Sequence, residues 1–178
     1  VAAFRRHLAA HSYRATAPWA KGVVVHHTYR PLPSQWRGAD SILALARHYR
    51  YEVDNGPGQP KGGWSSGPHL FIVRGAPNPA HDGIWQLTPL NLPGTHARAA
   101  NGSRWGVEHV ADATRTPMPP PIAELGQGAA AALLDWAGLP VTTTTVSPHA
   151  VWGKPACPGR ATDMDAYRRG VAALMETR

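Results

Sequence analysis

Ten histidines stand beside only 11 carboxylates in these 178 residues, so side chains suited to binding metals and moving protons near neutrality are over-supplied relative to acids. His26 and His27 close the run Val23-Val24-Val25-His26-His27-Thr28. His149 and Cys157 lie in one loop that Pro148, Pro155 and Pro158 stiffen. A catalytic zinc site needs three protein ligands and one open position, and imidazole and thiolate are suitable donors. His149 and Cys157 are close enough in sequence to close on one ion from a single segment, and a strand-end histidine can add the third ligand. Neighbouring strand residues point to opposite faces, so only one of His26 and His27 reaches a given site, and the pleat alone does not choose between them.

Glu108 interrupts the hydrophobic run Trp105-Gly106-Val107 and precedes His109-Val110. A carboxylate inside such a strand is costly unless it is paired or functional. Burial there would raise its pKa toward the range of a general base; a salt bridge to an arginine is the structural alternative. Cys157 is the only cysteine, which excludes an internal disulfide and a Cys-only zinc site. The thiol is then core filler, metal ligand or nucleophile. A cysteine peptidase with Cys157 as nucleophile and His149 as base is disfavoured by Pro158, because nucleophilic cysteines commonly start a helix whose dipole lowers their pKa.

The elements that must hold these residues can be read from hydrophobic periodicity. Phe4 to Tyr13 has helical spacing and stops before Pro18. Gly22 to Thr28 reads as a buried, β-branched strand. Asp40 is expected to cap a helix whose apolar positions Ile42, Leu45, Ala46, Tyr49 and Val53 fall three or four apart. The stretch Asp54 to Gly67 surrounds Lys61 and Trp64 with glycine and proline, as a surface loop beside a site would. His69 to Arg74 and Gly83 to Thr88 predict a hairpin with a long connection, and Trp105 to Val110 predicts a further strand. A helix with Ile122, Leu125, Ala129, Ala132, Leu133 and Trp136 on one side should end at Gly138. Val141 to Val146, with four threonines, is β-prone, and a last amphipathic helix should start near Asp163. Strands and helices alternate without a strict βαβ series, so the expected fold is α/β, a mixed central sheet flanked by helices.

A chain of 178 residues suits one domain, here 1–178, and leaves no room for a second. The 18 glycines and 18 prolines make it rich in loops, while 43% hydrophobic content is too high for a disordered chain. No apolar run approaches the roughly 18 residues of a membrane span. Val1 to Trp19 carries Arg5, Arg6, His7, His11 and Arg14, so no signal peptide is visible. A net charge of +7 and a pI of about 10.2 predict attraction to polyanions such as nucleic acid, anionic membrane or cell-wall polymer. No zinc-finger spacing, helix-turn-helix cue or basic helix singles out nucleic acid, and none is expected as partner.

Taken together, Val23-Val24-Val25-His26-His27-Thr28, Gly67-Pro68-His69-Leu70-Phe71-Ile72, His96-Ala97 with Asn101 and Gly106-Val107-Glu108, and His149 through Lys154-Pro155-Ala156-Cys157-Pro158-Gly159 resemble the type 2 N-acetylmuramoyl-L-alanine amidases in order and spacing. That family includes T7 lysozyme-like phage endolysins and the peptidoglycan recognition proteins. The resemblance spans about residues 20–170 and leaves 1–19 as an N-terminal helical extension; its first and last motifs are the specific ones. It implies a single zinc amidase domain in which His26, His149 and Cys157 bind Zn2+. His27 would then face the other side of the sheet. Glu108 falls where many of these amidases place the carboxylate that activates the attacking water, and His96 falls on the His-Ala motif that borders the substrate cleft.

The implied reaction is hydrolysis of the amide between N-acetylmuramic acid and L-alanine in peptidoglycan, by a phage or prophage endolysin or a bacterial wall-lytic enzyme. Such an enzyme would be a monomer, drawn to anionic cell-envelope polymers, acting in the periplasm or outside the cell after holin-dependent release or removal of a signal. Trp64 is either a wall of the substrate cleft or a packing residue. Two departures stand out. Pro68 replaces the catalytic Tyr of the T7 lysozyme-like members, and the lysine found two positions before the last ligand in many members is shifted by one, to Lys154. That shift leaves Lys154 either as an ammonium near the reacting carbonyl or as a solvated charge. The main rival is a non-catalytic peptidoglycan-binding module of the same fold, against which Glu108 and Cys157 argue.

Overall fold

The computed structural model describes residues 1–177. Five strands form one sheet: β1 (Val23–His27), β2 (Leu70–Val73), β3 (Gly83–Gln86), β4 (Trp105–His109) and β5 (Val146–Pro148). Their order is β3-β2-β4-β1-β5; β2 and β3 form the expected antiparallel hairpin and every other pairing is parallel. The mixed α/β sheet read from the sequence is therefore the fold.

The pleat divides the sheet into a dry face and a cleft face. On the dry face, Val23, Val25, Leu70, Ile72, Trp105 and Val107 meet Leu125, Ala129, Leu133 and their neighbours on α4 (Pro120–Ala137). The alanines of α4 let it lie close to the sheet, and Gly138 at φ 65° ends it, a backbone angle glycine adopts without a Cβ penalty. Helices α1 (Ala2–Ala9) and α5 (Met164–Glu176) pack against α4. On the other face, α3 (Ala39–Tyr51) sets Ile42, Leu45 and Tyr49 against Trp36, Phe71 and Val73. His26 and Glu108 alternate with the dry-face residues and are register partners in the β1–β4 pair, so they project side by side on the cleft face.

Three local expectations are corrected. The N-terminal helical segment breaks at residues 10–12 into α1 and the single turn α2 (Tyr13–Thr16), where the Tyr13 ring packs edge-on to Trp105 and Trp136. Gly38 rather than Asp40 occupies the cap position of α3, and Asp40 lies in the first turn, where its charge suits the helix dipole. The threonine run does not extend: Thr145 Oγ1 donates to the Pro140 carbonyl and the Thr142 amide donates to Thr145 Oγ1, so β5 begins only at Val146. Threonine hydroxyls bonding their own backbone compete with strand pairing. The last helix does start as read, with Asp163 accepting from the amides of Asp165 and Ala166.

On the dry face, His109 and Tyr167 form a buried link between sheet and α5. His109 Nδ1 donates to the His26 carbonyl at 2.8 Å, which leaves Nε2 to accept from the Tyr167 hydroxyl at 3.0 Å. Helix α4 passes this pair at Gly126, where a Cβ would sit 1.9 Å from His109 Nε2 and 2.9 Å from the Tyr167 oxygen. Gly126→Ala sets a gain of about 1 kcal/mol in helix propensity against an overpacking cost of about 1–3 kcal/mol. Because both rings are held by hydrogen bonds, the clash should win and leave the variant less stable, as urea denaturation would measure.

Candidate active site

Where β1 and β4 end on the cleft face, a cavity of about 660 Å³ opens, and it is lined by His26, His96, Glu108, His149, Lys154 and Cys157 among others. His26 is 1%, Cys157 3% and His149 8% exposed. One ligand atom from each of these three lies within 4.8 Å of the other two. His26 comes from the strand end, and His149 opens a 3-10 turn (His149–Trp152) directly after β5, the strand beside β1. Cys157 is folded back onto that turn. The Ala150 amide donates to the Cys157 carbonyl at 2.8 Å, and the Cys157 amide donates to the Lys154 carbonyl at 2.9 Å. Backbone bonds thus hold the two late residues together, as their shared loop suggested.

Hydrogen bonds determine which His26 nitrogen faces the centre. His96 Nε2 lies 3.0 Å from the Arg104 carbonyl, which only accepts, so that nitrogen carries the proton and His96 Nδ1 is an acceptor. His26 Nε2, 3.1 Å from His96 Nδ1, is then the donor. His26 Nδ1 is left with a lone pair, 3.9 Å from Cys157 Sγ and 3.6 Å from Glu108 Oε1. Although that last contact joins a histidine and a carboxylate, it is not an ion pair. Burial, reinforced by His96, His149 and Lys154, holds His26 well below its ordinary pKa, and burial takes His149 and His96 down to about 4. Neutral imidazoles are the form that binds a metal.

The acid and the thiol are shifted upward. Burial lifts the Glu108 carboxyl to about 8, with Lys154 pulling the other way. Burial and then the Glu108 charge lift the Cys157 thiol to about 12, so alone it would stay protonated at neutral pH and be a poor nucleophile. Among the described residues, buried Glu108 Oε2 and His149 Nδ1 have no hydrogen-bond partner. A lone-pair nitrogen of His26, a neutral His149 ring, a sulfur and a carboxyl thus converge with too few partners among them. A divalent cation satisfies this set and would draw off the thiol proton; the N, N, S donors suit zinc.

The other sequence-derived residues fall as follows. His27 Nδ1 accepts from the Ala113 amide at 3.0 Å, and His27 lies outside the ligand group. Dry-face packing of Val23 and Val25 settles the choice the pleat left open. Lys154 is exposed on the cleft rim. His96 is 7% exposed and its ring bonds to His26 and Arg104, so its contacts are with protein, although it also lines the cleft. Trp64 both packs and lines the cleft: its ring lies parallel to Tyr49 with centroids 5.5 Å apart. Two further histidines in the count, His69 and His109, are bonded at both ring nitrogens and serve the fold. Tyr49, read from sequence only as an apolar position of α3, also lines the cleft. Its periodicity signals burial and carries no sign of that second role.

Residues 15–160 match the protein family described as N-acetylmuramoyl-L-alanine amidase. No curated protein matches the chain in sequence. Among solved structures, the fold is similar to the endolysin N-acetylmuramoyl-L-alanine amidase LysCS of Clostridium intestinale, with TM-score 0.54 and 17% identity over 85% of this chain and 82% of that one. It is equally similar to the amidase LysC of the same organism, with TM-score 0.54 and 17% identity over 85% and 84% of the two chains.

His96→Ala removes the acceptor that orients His26. Zinc affinity is expected to fall about 10- to 100-fold, as for other groups that support a metal ligand, in competition with a chromophoric chelator. Unchanged affinity would mean that His26 is oriented without His96.

Proposed function

This chain belongs to the N-acetylmuramoyl-L-alanine amidase family, and from that premise we propose that it is a zinc-dependent peptidoglycan hydrolase cutting the amide between N-acetylmuramic acid and L-alanine. The observation that carries the reading is the meeting of His26, His149 and Cys157 beside Glu108, whose Oε2 has no hydrogen-bond partner among the described residues, in one cleft. The rival of a binding module without catalysis has less support, since both the donor set and a buried acid are retained.

Zinc held by His26 Nδ1, His149 and Cys157 would supply Lewis acidity, lowering the pKa of water and polarising a carbonyl. Glu108 takes a proton from the water whose oxygen attacks the lactoyl carbonyl carbon. When the C–N bond breaks, it passes a proton to the departing L-alanine amine, leaving a carboxyl group on the muramic acid side chain. Burial makes Glu108 more basic than an ordinary carboxylate, which favours uptake of the water's proton, and its delivery to the more basic departing amine is downhill. The ammonium of Lys154, on the cleft rim, supports the negative charge that builds on the carbonyl oxygen. Trp64 and His96 border the space for glycan and stem peptide.

No helix among the described residues is long and apolar enough to cross a membrane. A charge of +7 favours approach to the anionic polymers of a bacterial envelope. Action on the wall by a phage or prophage endolysin, or by a bacterial lytic enzyme, fits this character.

Purified cell wall digested with the protein should yield new L-alanine amino termini by mass spectrometry, with release abolished by chelation and restored by Zn2+. New reducing sugar ends, new ends within the peptide, or release by a verified metal-free sample would overturn the assignment. Glu108→Gln should keep its zinc and its fold while turnover falls about 10²- to 10⁴-fold, the usual effect of losing a general base. Wild-type turnover in that variant would move the base to another residue.

A further inference from the structure

Pro68 lines the cleft without offering a hydroxyl, but a phenol reaches the same cavity from the last turn of α3. Tyr49 is held there on both sides of its ring. Trp64 stacks on it with planes 4° apart. On the chain side of Gly67, a Cβ would come within 2.6 Å of Tyr49 Cδ2 and 2.7 Å of Cε2, so only glycine leaves the ring its place.

The Gly-rich loop is built onto α3 so as to keep this stack. The Gly62 amide donates to the Val53 carbonyl, the Gly63 amide to Arg50 and the Trp64 amide to Tyr49 itself. Gly62, at φ 71°, passes so close to the Tyr51 backbone that a Cβ would lie 2.5 Å from its Cα. Asn55 ties the loop together, accepting from the Trp64 indole at 2.8 Å and donating to the Pro60 and Gly62 carbonyls.

Stacking explains the ring but not the hydroxyl, since phenylalanine would stack as well. Tyr49 is half-buried, and among the described residues its hydroxyl has no hydrogen-bond partner, so it is free to bond a molecule in the cleft. Tyr49 and Glu108 line the same cavity, and burial and then the Glu108 charge raise the phenol's pKa, so it keeps its proton and acts as a donor.

We propose that Tyr49 is a catalytic residue whose hydroxyl donates a hydrogen bond to the oxygen of the scissile carbonyl as that oxygen takes up negative charge. This rests on the amide-hydrolase reading above. The phenol supplies from α3 the cleft hydroxyl that Pro68 does not. Charge is stabilised by a preorganised donor that touches the reacting group only when substrate is bound, and preorganised donors of this kind act mainly on turnover.

Tyr49→Phe keeps the stack and loses only the donor. In the muropeptide-release assay with zinc-loaded protein, kcat should fall about 100-fold. KM should stay within about twofold, and zinc content, thermal unfolding and the acid limb of the pH profile should be unchanged. A rate within about threefold of wild type overturns the proposal. So does a loss confined to KM, or one that comes with a displaced acid limb, which would mean that Tyr49 acts through Glu108. If wild-type protein releases no muropeptide, the hydrolase reading fails and this proposal with it. If wild type is active and Tyr49→Phe equally so, Tyr49 alone is refuted.

Discussion

The arrangement on which the rest of this molecule depends is a concentration of electron-rich atoms from buried side chains on the floor of a cleft. Ring nitrogens of His26 and His149 and Cys157 Sγ meet at one end of the sheet, with Glu108 Oε1 beside His26, where His26 and Cys157 are almost wholly buried. Unpaired lone pairs in such a setting are expensive, and protein donors do not meet the demand. A cation does, and the surrounding structure favours its entry by keeping the imidazoles neutral and leaving their lone pairs turned inward. Burial alone accounts for most of this, since it lowers the histidines and raises the acid and the thiol by the same physical cause.

Rigid elements hold the site in a particular order. The dry face binds β1 and β4 to α4 through valine, leucine and alanine, so the strand ends cannot twist to exchange His26 for His27. Behind them, His109 holds the carbonyl of His26 itself and is in turn held by the Tyr167 hydroxyl. In front, the Arg104 carbonyl and His96 dictate the tautomer of His26. One strand-end residue is therefore restrained through its backbone from one face and through its ring from the other. Under the proposed function, a metal ligand held in this way would need little reorganisation to bind, which is how supporting groups contribute to metal affinity.

Loops complete the cleft that the strand ends begin. The turn from His149 to Cys157 closes through its own backbone, and the Gly-rich loop closes onto α3 through Gly62, Gly63 and Trp64. Both depend on close approaches that side chains would block, at Gly62 and Gly67 in one loop and at Gly159 in the other, where a Cβ would meet the Ala113 carbonyl at 2.1 Å. Glycine content that reads as flexibility in composition is in these places a requirement for tight packing.

Much of this is local and so legible in the residues alone. Strand periodicity around Val23–His27 and Trp105–His109, the helical spacing of α4 and its glycine stop, the Asp163 cap, and the pairing of His149 with Cys157 in one proline-stiffened loop all follow from near-neighbour geometry. The threonine run misled because hydroxyls bonding their own backbone outweighed β propensity. Strand periodicity left His26 and His27 open and only the family resemblance favoured His26; in the fold the choice follows from which face α4 covers. The fold also gave His96 its bond to a ring 70 residues away and turned Tyr49 from a hydrophobic helix position into a cleft residue. These outcomes rest on contacts between distant segments, and no local pattern encodes a partner that only folding brings near.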